Sequence, residues 1–176
     1  MKKKRIVFIA VFIAIIVSVF VVHQKQEQSI VSTDLKNATY TIDGELVTLV
    51  DGYSKNAVAP GSASSVETRF FGNVAEGDFD SDGAGDAVFI ITQDAGGSGT
   101  FYYAVLALGS KDGSYVGKNA IFMGDRIAPQ TTEYRDGMII VNYADRGPAE
   151  PMTAPPSIGV SRYFKVIGGQ LAEIKQ

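Results

Sequence analysis

After residue 37 the sequence alternates between short runs rich in β-branched and aromatic residues and dipeptides that suit tight turns. No segment there repeats apolar residues at intervals of three and four, which is the spacing of an amphipathic helix. This pattern predicts an all-β domain, built as a sandwich or an open barrel of about eight to ten short strands. An α+β fold is the alternative.

The longest apolar runs of this domain indicate where its sheet has its centre. Residues 87–92 are almost continuously apolar, and residues 100–108 form the longest run of all. Because a strand that is buried on both faces carries such a run, we expect these two strands to be central. Residues 52–65 are small and polar, which predicts a loop.

Tight turns are predicted where glycine follows Asp43, Asp136 and Gly168, because such dipeptides adopt the backbone of a two-residue hairpin. The first of these turns would join strands at residues 39–42 and 45–50. Further strands are predicted from their β-branched and aromatic content, at residues 67–71, 120–123, 131–135, 138–143, 159–166 and 170–174.

The N-terminal part of the chain carries a different signal, a run of 17 residues at 6–22 without a charged side chain. A helix of about 17 residues is close to the shortest that crosses a bilayer core. Four basic residues precede it, which favours a cytoplasmic N-terminus. We therefore predict a cytoplasmic tail at 1–5, a transmembrane anchor at 6–22, a polar spacer at 23–37 and an extracytoplasmic β domain at 38–176.

A cleaved secretory signal is the alternative for the same segment, since a signal peptide also begins with basic residues and an apolar run. The run is longer than the apolar core of most signals, and residues 15–28 contain no small-x-small cleavage pair. We therefore expect a single-pass protein of the cytoplasmic membrane, with its N-terminus inside and its domain outside. In both cases the domain lies outside the cytoplasm.

Composition excludes several classes of function. There is no cysteine, so thiol catalysis, disulfides and zinc thiolate sites are ruled out. The one histidine, His23, lies in the predicted spacer, which excludes a Ser-His-Asp triad within the domain. Without the four N-terminal basic residues the chain has 12 basic and 19 acidic side chains, a net charge of −7. Such a domain has no electrostatic attraction to nucleic acid.

One segment carries a specific chemical pattern. Residues 77–90 read GDFDSDGAGDAVFI, with four aspartates within nine positions and a glycine after the third. Alternate residues point the same way until the glycine permits a sharp turn, so that the carboxylates converge. An oxygen cage of this kind suits calcium before magnesium. We predict one calcium ion, held by the side chains of Asp78, Asp80, Asp82 and Asp86 and the backbone carbonyl of Ala84.

The pattern DxDxDGxxD followed by an apolar strand resembles the calcium loop of FG-GAP repeats in integrin-type propellers, and its first half is similar to dockerin loops. The resemblance implies the same five ligands. An EF-hand is excluded, because its twelfth loop position is a glutamate and here it is Phe89. The domain as a whole resembles an uncharacterised bacterial envelope domain sometimes found before a META-type domain, which implies no activity.

Two classes of function remain open. Because no catalytic constellation is visible, the sequence favours a membrane-anchored binding or accessory domain, stabilised by calcium, whose protein or glycan partner it does not identify. Aromatic residues such as Tyr102, Tyr134 and Tyr163 belong either to the core or to an exposed binding platform. The alternative is a carboxylate-dependent hydrolase of the cell envelope, using acidic residues near predicted strand ends: Asp94, Asp125, Glu133, Asp145 and Glu150.

Overall fold

A computed structural model describes residues 31–59 and 61–175, whose regular structure is twelve β-strands and one short 3₁₀ helix. The all-β prediction is therefore confirmed. The elements are β1 (Val31–Ser32), the 3₁₀ helix (Leu35–Asn37), β2 (Thr39–Ile42), β3 (Glu45–Thr48), β4 (Tyr53–Ala57), β5 (Ser65–Gly77), β6 (Asp86–Asp94), β7 (Phe101–Gly109), β8 (Tyr115–Asp125), β9 (Ala128–Arg135), β10 (Met138–Asp145), β11 (Ile158–Ile167) and β12 (Gln170–Ile174).

The predicted anchor at 6–22 lies outside the described residues. Within them, no helix has the length and apolar character needed to cross a membrane.

The strands form two sheets. The larger has the order β3-β2-β8-β7-β6-β5-β4, with β1 also paired to β8, and the smaller has the order β12-β11-β10-β9. Among the described strands every pairing is antiparallel except a single parallel contact between β2 and β8. As predicted, β6 and β7 lie at the centre of the larger sheet.

Both faces of β6 and β7 are buried, each in a separate apolar cluster. On one face Val88 of β6 belongs to the cluster that contains Phe164 of the smaller sheet. On the other face Phe89 meets Tyr40 of β2 edge to face, with ring centroids 5.4 Å apart. Because β2 pairs only at the far side of β8, this contact requires the larger sheet to curl until its β2–β3 hairpin covers its own centre. The fold thus combines sandwich packing on one face with an open, barrel-like curl on the other.

The predicted two-residue turns are all present. Asp43 and Gly44 have φ angles of 50° and 85°, and a fourth turn of the same kind occurs at Asp51-Gly52, with φ angles of 51° and 80°. Both residues of a type I′ turn need positive φ, which glycine adopts freely and aspartate tolerates. The other two turns are Asp136-Gly137 and Gly168-Gly169.

The predicted loop at 52–65 was wrong, because β4 lies inside it. β4 is an edge strand in which only Ser54 is buried, so it lacks the apolar alternation by which strands are recognised. Its pairing with β5 is supported instead by a surface ion pair, in which Lys55 Nζ lies 3.0 Å from Glu67 Oε1.

The folded domain also includes residues 31–37, which belong to the predicted polar spacer. Val31 pairs with Val116 of β8. The 3₁₀ helix holds the Asp51-Gly52 turn, since the Gly52 amide donates to the Lys36 carbonyl and the Asp51 amide donates to Asn37 Oδ1, both at 2.8 Å.

Candidate metal centre

The aspartate loop, residues 78–85, joins the end of β5 to the start of β6, and Gly77 paired with Asp86 closes it. The chain turns at Ser81 and Gly83, which have φ angles of 66° and 85°. The predicted sharp turn at Gly83 is thus present, and the loop returns directly into the buried strand β6.

Three of the predicted aspartates lie together. Carboxylate oxygens of Asp78, Asp80 and Asp86 lie within 4.8 Å of one another. Calcium binds oxygens at about 2.3–2.6 Å, so oxygens on opposite sides of the ion are about 4.6–5.2 Å apart. The three oxygens are therefore close enough together to contact one metal ion.

Asp86 is the buried member of the group, with 1% of its surface exposed. Its Oδ2 accepts a hydrogen bond from the Phe79 amide at 2.7 Å, and its Oδ1 accepts one from the Gly109 amide at 2.9 Å. Burial raises the pKa of the Asp86 carboxyl, while these two amides act in the opposite direction. Asp86 thus ties the loop to the end of β7.

That tie depends on a close approach between two backbone segments. A Cβ atom added to Gly109 would overlap the carbonyl oxygen of Gly85, so no side chain fits at Gly109. The sequence offered no local signal for this role, because Gly109 is simply the last residue of an apolar strand.

The exposed carboxylates of Asp78 and Asp80 organise the turn. The Asp82 amide donates to Asp78 Oδ1 at 3.1 Å and to Asp80 Oδ1 at 3.2 Å, and the Gly83 amide donates to Asp78 Oδ2 at 3.1 Å. An ionised carboxylate offers about four acceptor sites, so these bonds leave lone pairs for a cation.

Asp82 stands apart from the three-carboxylate group. Its Oδ1 accepts a hydrogen bond from the Ala84 amide at 2.7 Å, which caps the second half of the loop. Four side-chain ligands were predicted from the spacing, and the structure brings three of them together.

Residues of the smaller sheet also support the loop. The Tyr134 hydroxyl of β9 donates to the Asp78 carbonyl at 3.2 Å, and its ring lies 4.8 Å from that of Phe79. Neither contact was predictable, because β9 follows the loop by some forty residues and the pairing of the two sheets brings it there.

The described residues form four ion pairs, and none of them involves the aspartate loop. No cationic side chain there is therefore ion-paired with the loop carboxylates. Like charges held this close repel one another. A divalent cation would relieve the repulsion.

The acidic residues considered for hydrolysis are engaged locally. Asp125 lies 3.1 Å from the Arg126 guanidinium, and Asp145 accepts a hydrogen bond from the Arg146 amide at 2.7 Å. Glu150 accepts one from the Gly147 amide. In the described part of the chain, the aspartate loop is the one place where three or more acidic or histidine side chains gather in metal-binding geometry.

The aromatic residues do not share one exposed face. Tyr103 and Tyr143 are core residues, 5% and 4% exposed. Tyr134, at 38% exposed, belongs to the edge of the aspartate loop, while Tyr102 is half-buried against Phe71.

Comparison of the chain with protein-family models, with curated proteins and with solved structures finds no match.

Proposed function

We propose that this chain is a calcium-stabilised binding or accessory domain, held on the outer side of a cytoplasmic membrane by a helix at residues 6–22. The convergence of Asp78, Asp80 and buried Asp86 at the start of a central strand carries the proposal. A cation bound there would join the β5–β6 connection to the end of β7 through Asp86.

The donor set favours calcium among common cations. Its members are carboxylates, and the sequence pattern adds the carbonyl of Ala84 and the fourth carboxylate, Asp82. Magnesium binds at about 2.0–2.1 Å in near-ideal octahedral geometry, which suits an irregular loop less well. Zinc, copper, iron and nickel prefer imidazole or thiolate ligands, and the domain after residue 37 has neither.

The proposed location matches this chemistry. Calcium modules outside the cytoplasm typically have dissociation constants of about 10⁻⁴ to 10⁻³ M, an affinity that exposed ligands such as Asp78 and Asp80 would provide.

Membrane fractionation and mass spectrometry of the mature protein test the anchor. We expect membrane association with an intact N-terminus, and a new N-terminus after about residue 20 would replace the anchor with a cleaved signal.

Calorimetric titration of the full-length protein with calcium tests the metal site directly. We expect one site, weakened at least about tenfold by Asp78→Asn or Asp80→Asn, because each removes a charge from the group. Asp82→Asn should weaken binding less, since that carboxylate caps the Ala84 amide.

Asp136→Asn is the matched control, because it makes the same charge change in a turn where positive φ favours asparagine as well. The absence of binding heat would contradict the proposal. Equal weakening by Asp136→Asn and Asp78→Asn would also contradict it, because binding would then depend on surface charge alone.

A further inference from the structure

The two ends of the larger sheet, β3 and β4, are consecutive strands that separate after a single contact. Val50 and Tyr53 exchange backbone hydrogen bonds of 2.8 and 3.0 Å across the Asp51-Gly52 turn. Beyond that bridge β3 pairs only with β2 and β4 pairs only with β5 in the described residues. We call the opening between them the β3–β4 fork.

The register shows which backbone groups face this fork. The Leu49 amide donates to the Ala38 carbonyl, and hydrogen-bonded pairs alternate with non-bonded pairs along an antiparallel ladder. Leu46 and Thr48, opposite Thr41 and Thr39, are therefore non-bonded positions of the β2–β3 ladder. Their N–H and C=O groups point away from β2, toward the fork.

The same reasoning applies to the opposite side. The Val58 amide donates to the Ser64 carbonyl, so Ala57 and Lys55 occupy non-bonded positions of the β4–β5 ladder. Both sides of the fork thus present outward-facing backbone donors and acceptors. Exposed strand edges of this kind are templates for pairing with another chain.

The fork opens on a cleft of about 520 Å³ between the β2–β3 turn and the end of β4. Leu46 and Val58 line it and remain 72% and 59% exposed, although both are apolar. Its lining contains two charged side chains, Asp43 and Glu45, and both are acidic. The cleft therefore combines unpaired backbone, apolar side chains and negative charge.

We propose that the β3–β4 fork binds an extended peptide segment of a partner protein, which adds a strand between β3 and β4 and so closes the larger sheet. Its backbone would bond to the outward groups of Leu46 and Ala57. Its alternate side chains would be apolar to cover Leu46 and Val58, and a lysine or arginine would face the carboxylates of Asp43 and Glu45. This ligand class rests on the proposed binding role but not on the calcium site.

Panning of a phage-displayed library of random heptapeptides against full-length protein in detergent tests the proposal. We expect enriched sequences to alternate apolar residues, to carry lysine or arginine and to lack central proline. Panning on Leu46→Pro should fail to enrich them, since this change deletes an outward N–H while leaving the bonds of the β2–β3 ladder in place. Loss of one backbone hydrogen bond should weaken binding about tenfold.

Ala57→Pro makes the equivalent change on β4, and circular dichroism would check that both variants are folded. Leu46→Thr is the comparison variant, because it keeps the N–H and loses only the apolar contact, so it should weaken binding less than Leu46→Pro does. Hydrogen exchange of the wild-type protein requires no variant: an enriched peptide should slow exchange of the Leu46, Thr48, Lys55 and Ala57 amides.

Three results would overturn the proposal: no enrichment, enrichment that persists on both proline variants, or unchanged exchange at those amides. A dimer in solution whose formation protects the same amides would assign the fork to a second copy instead. The outcome is separate from calcium binding, since a protein that binds calcium without peptide, or the reverse, would fail only one of the two proposals.

Discussion

The aspartate loop and the β3–β4 fork belong to the same sheet but differ in the hydrogen-bond partners of their backbone groups. In the loop, amides of residues 79, 82, 83 and 84 donate to aspartate carboxylates of the loop itself or to Asp86. At the fork, outward groups of β3 and β4 have no partner strand in the described chain. The loop is suited to a small cation, and the fork is suited to another backbone.

The two sites arise from different features of the sequence. The three converging aspartates of the loop lie within nine consecutive residues, so local spacing is enough to bring them together. The fork exists because the larger sheet curls without closing, so that the ends of the sheet, β3 and β4, remain apart. Pairing across the whole domain decides that, and no local pattern encodes it.

The largest effect should follow from a change that separates the loop from β7. Gly109→Ala should destabilise the domain by about 3 kcal/mol, because the new Cβ overlaps the Gly85 carbonyl and displaces the amide that Asp86 accepts from. Chemical denaturation measures this.

Gly159→Ala is its control, since that position is also in a strand but has nothing within 4 Å of an added Cβ. Equal stability of the two variants would show that the close approach at Gly109 is unimportant.

A second prediction concerns pH and the fork end of the sheet. The Tyr103 hydroxyl donates to Asp43 Oδ2 at 2.7 Å, and burial, together with that carboxylate, raises the pKa of Tyr103. The unfolded chain ionises this phenol above about pH 10 while the folded chain keeps it protonated. The contribution of the Tyr103 hydroxyl to the free energy of unfolding is therefore complete below about pH 10 and declines as the pH rises further.

Tyr103→Phe should thus reduce the alkaline loss of stability by about 1.4 kcal/mol per pH unit above pH 10. Urea denaturation between about pH 10 and 11.5 measures the slope. An unchanged slope would mean that Tyr103 ionises equally in both states and does not hold the β2–β3 turn.

The smallest expected effect is at the base of the fork. Asn37→Ala removes the acceptor of the Asp51 amide and should cost about 1 kcal/mol, because the bond is exposed and water replaces it in part. Thermal unfolding measures the loss. A stability equal to that of the wild type would show that the turn is held by the Gly52 to Lys36 bond alone.

Much of the fold was predictable from residue patterns, because the responsible signals are local. The three predicted tight turns and the central position of β6 and β7 follow from aspartate-glycine or glycine-glycine pairs and from long apolar runs. β4 was missed because an edge strand with polar residues carries neither signal. β1 was missed because two residues are too few to form a pattern.

The candidate site was also predictable only where the signal is local. Local spacing predicted the convergence of Asp78, Asp80 and Asp86. The spacing did not show that Asp82 stands apart from these three. Its position depends on the hydrogen bond that its carboxylate accepts from the Ala84 amide. The supporting contacts of Gly109 and Tyr134 arise from strand order and sheet packing, which a linear pattern does not contain.

We propose that calcium binds the folded domain at the aspartate loop, and the decisive measurement is thermal unfolding with calcium and with chelator. At about ten times a dissociation constant of 10⁻⁴ to 10⁻³ M, binding should add about 1.4 kcal/mol and raise the Tm of full-length protein by roughly 3–6 °C. The double variant Asp78→Asn, Asp80→Asn should show no difference between the two conditions. An equal Tm of the wild-type protein in millimolar calcium and in chelator would contradict the claim.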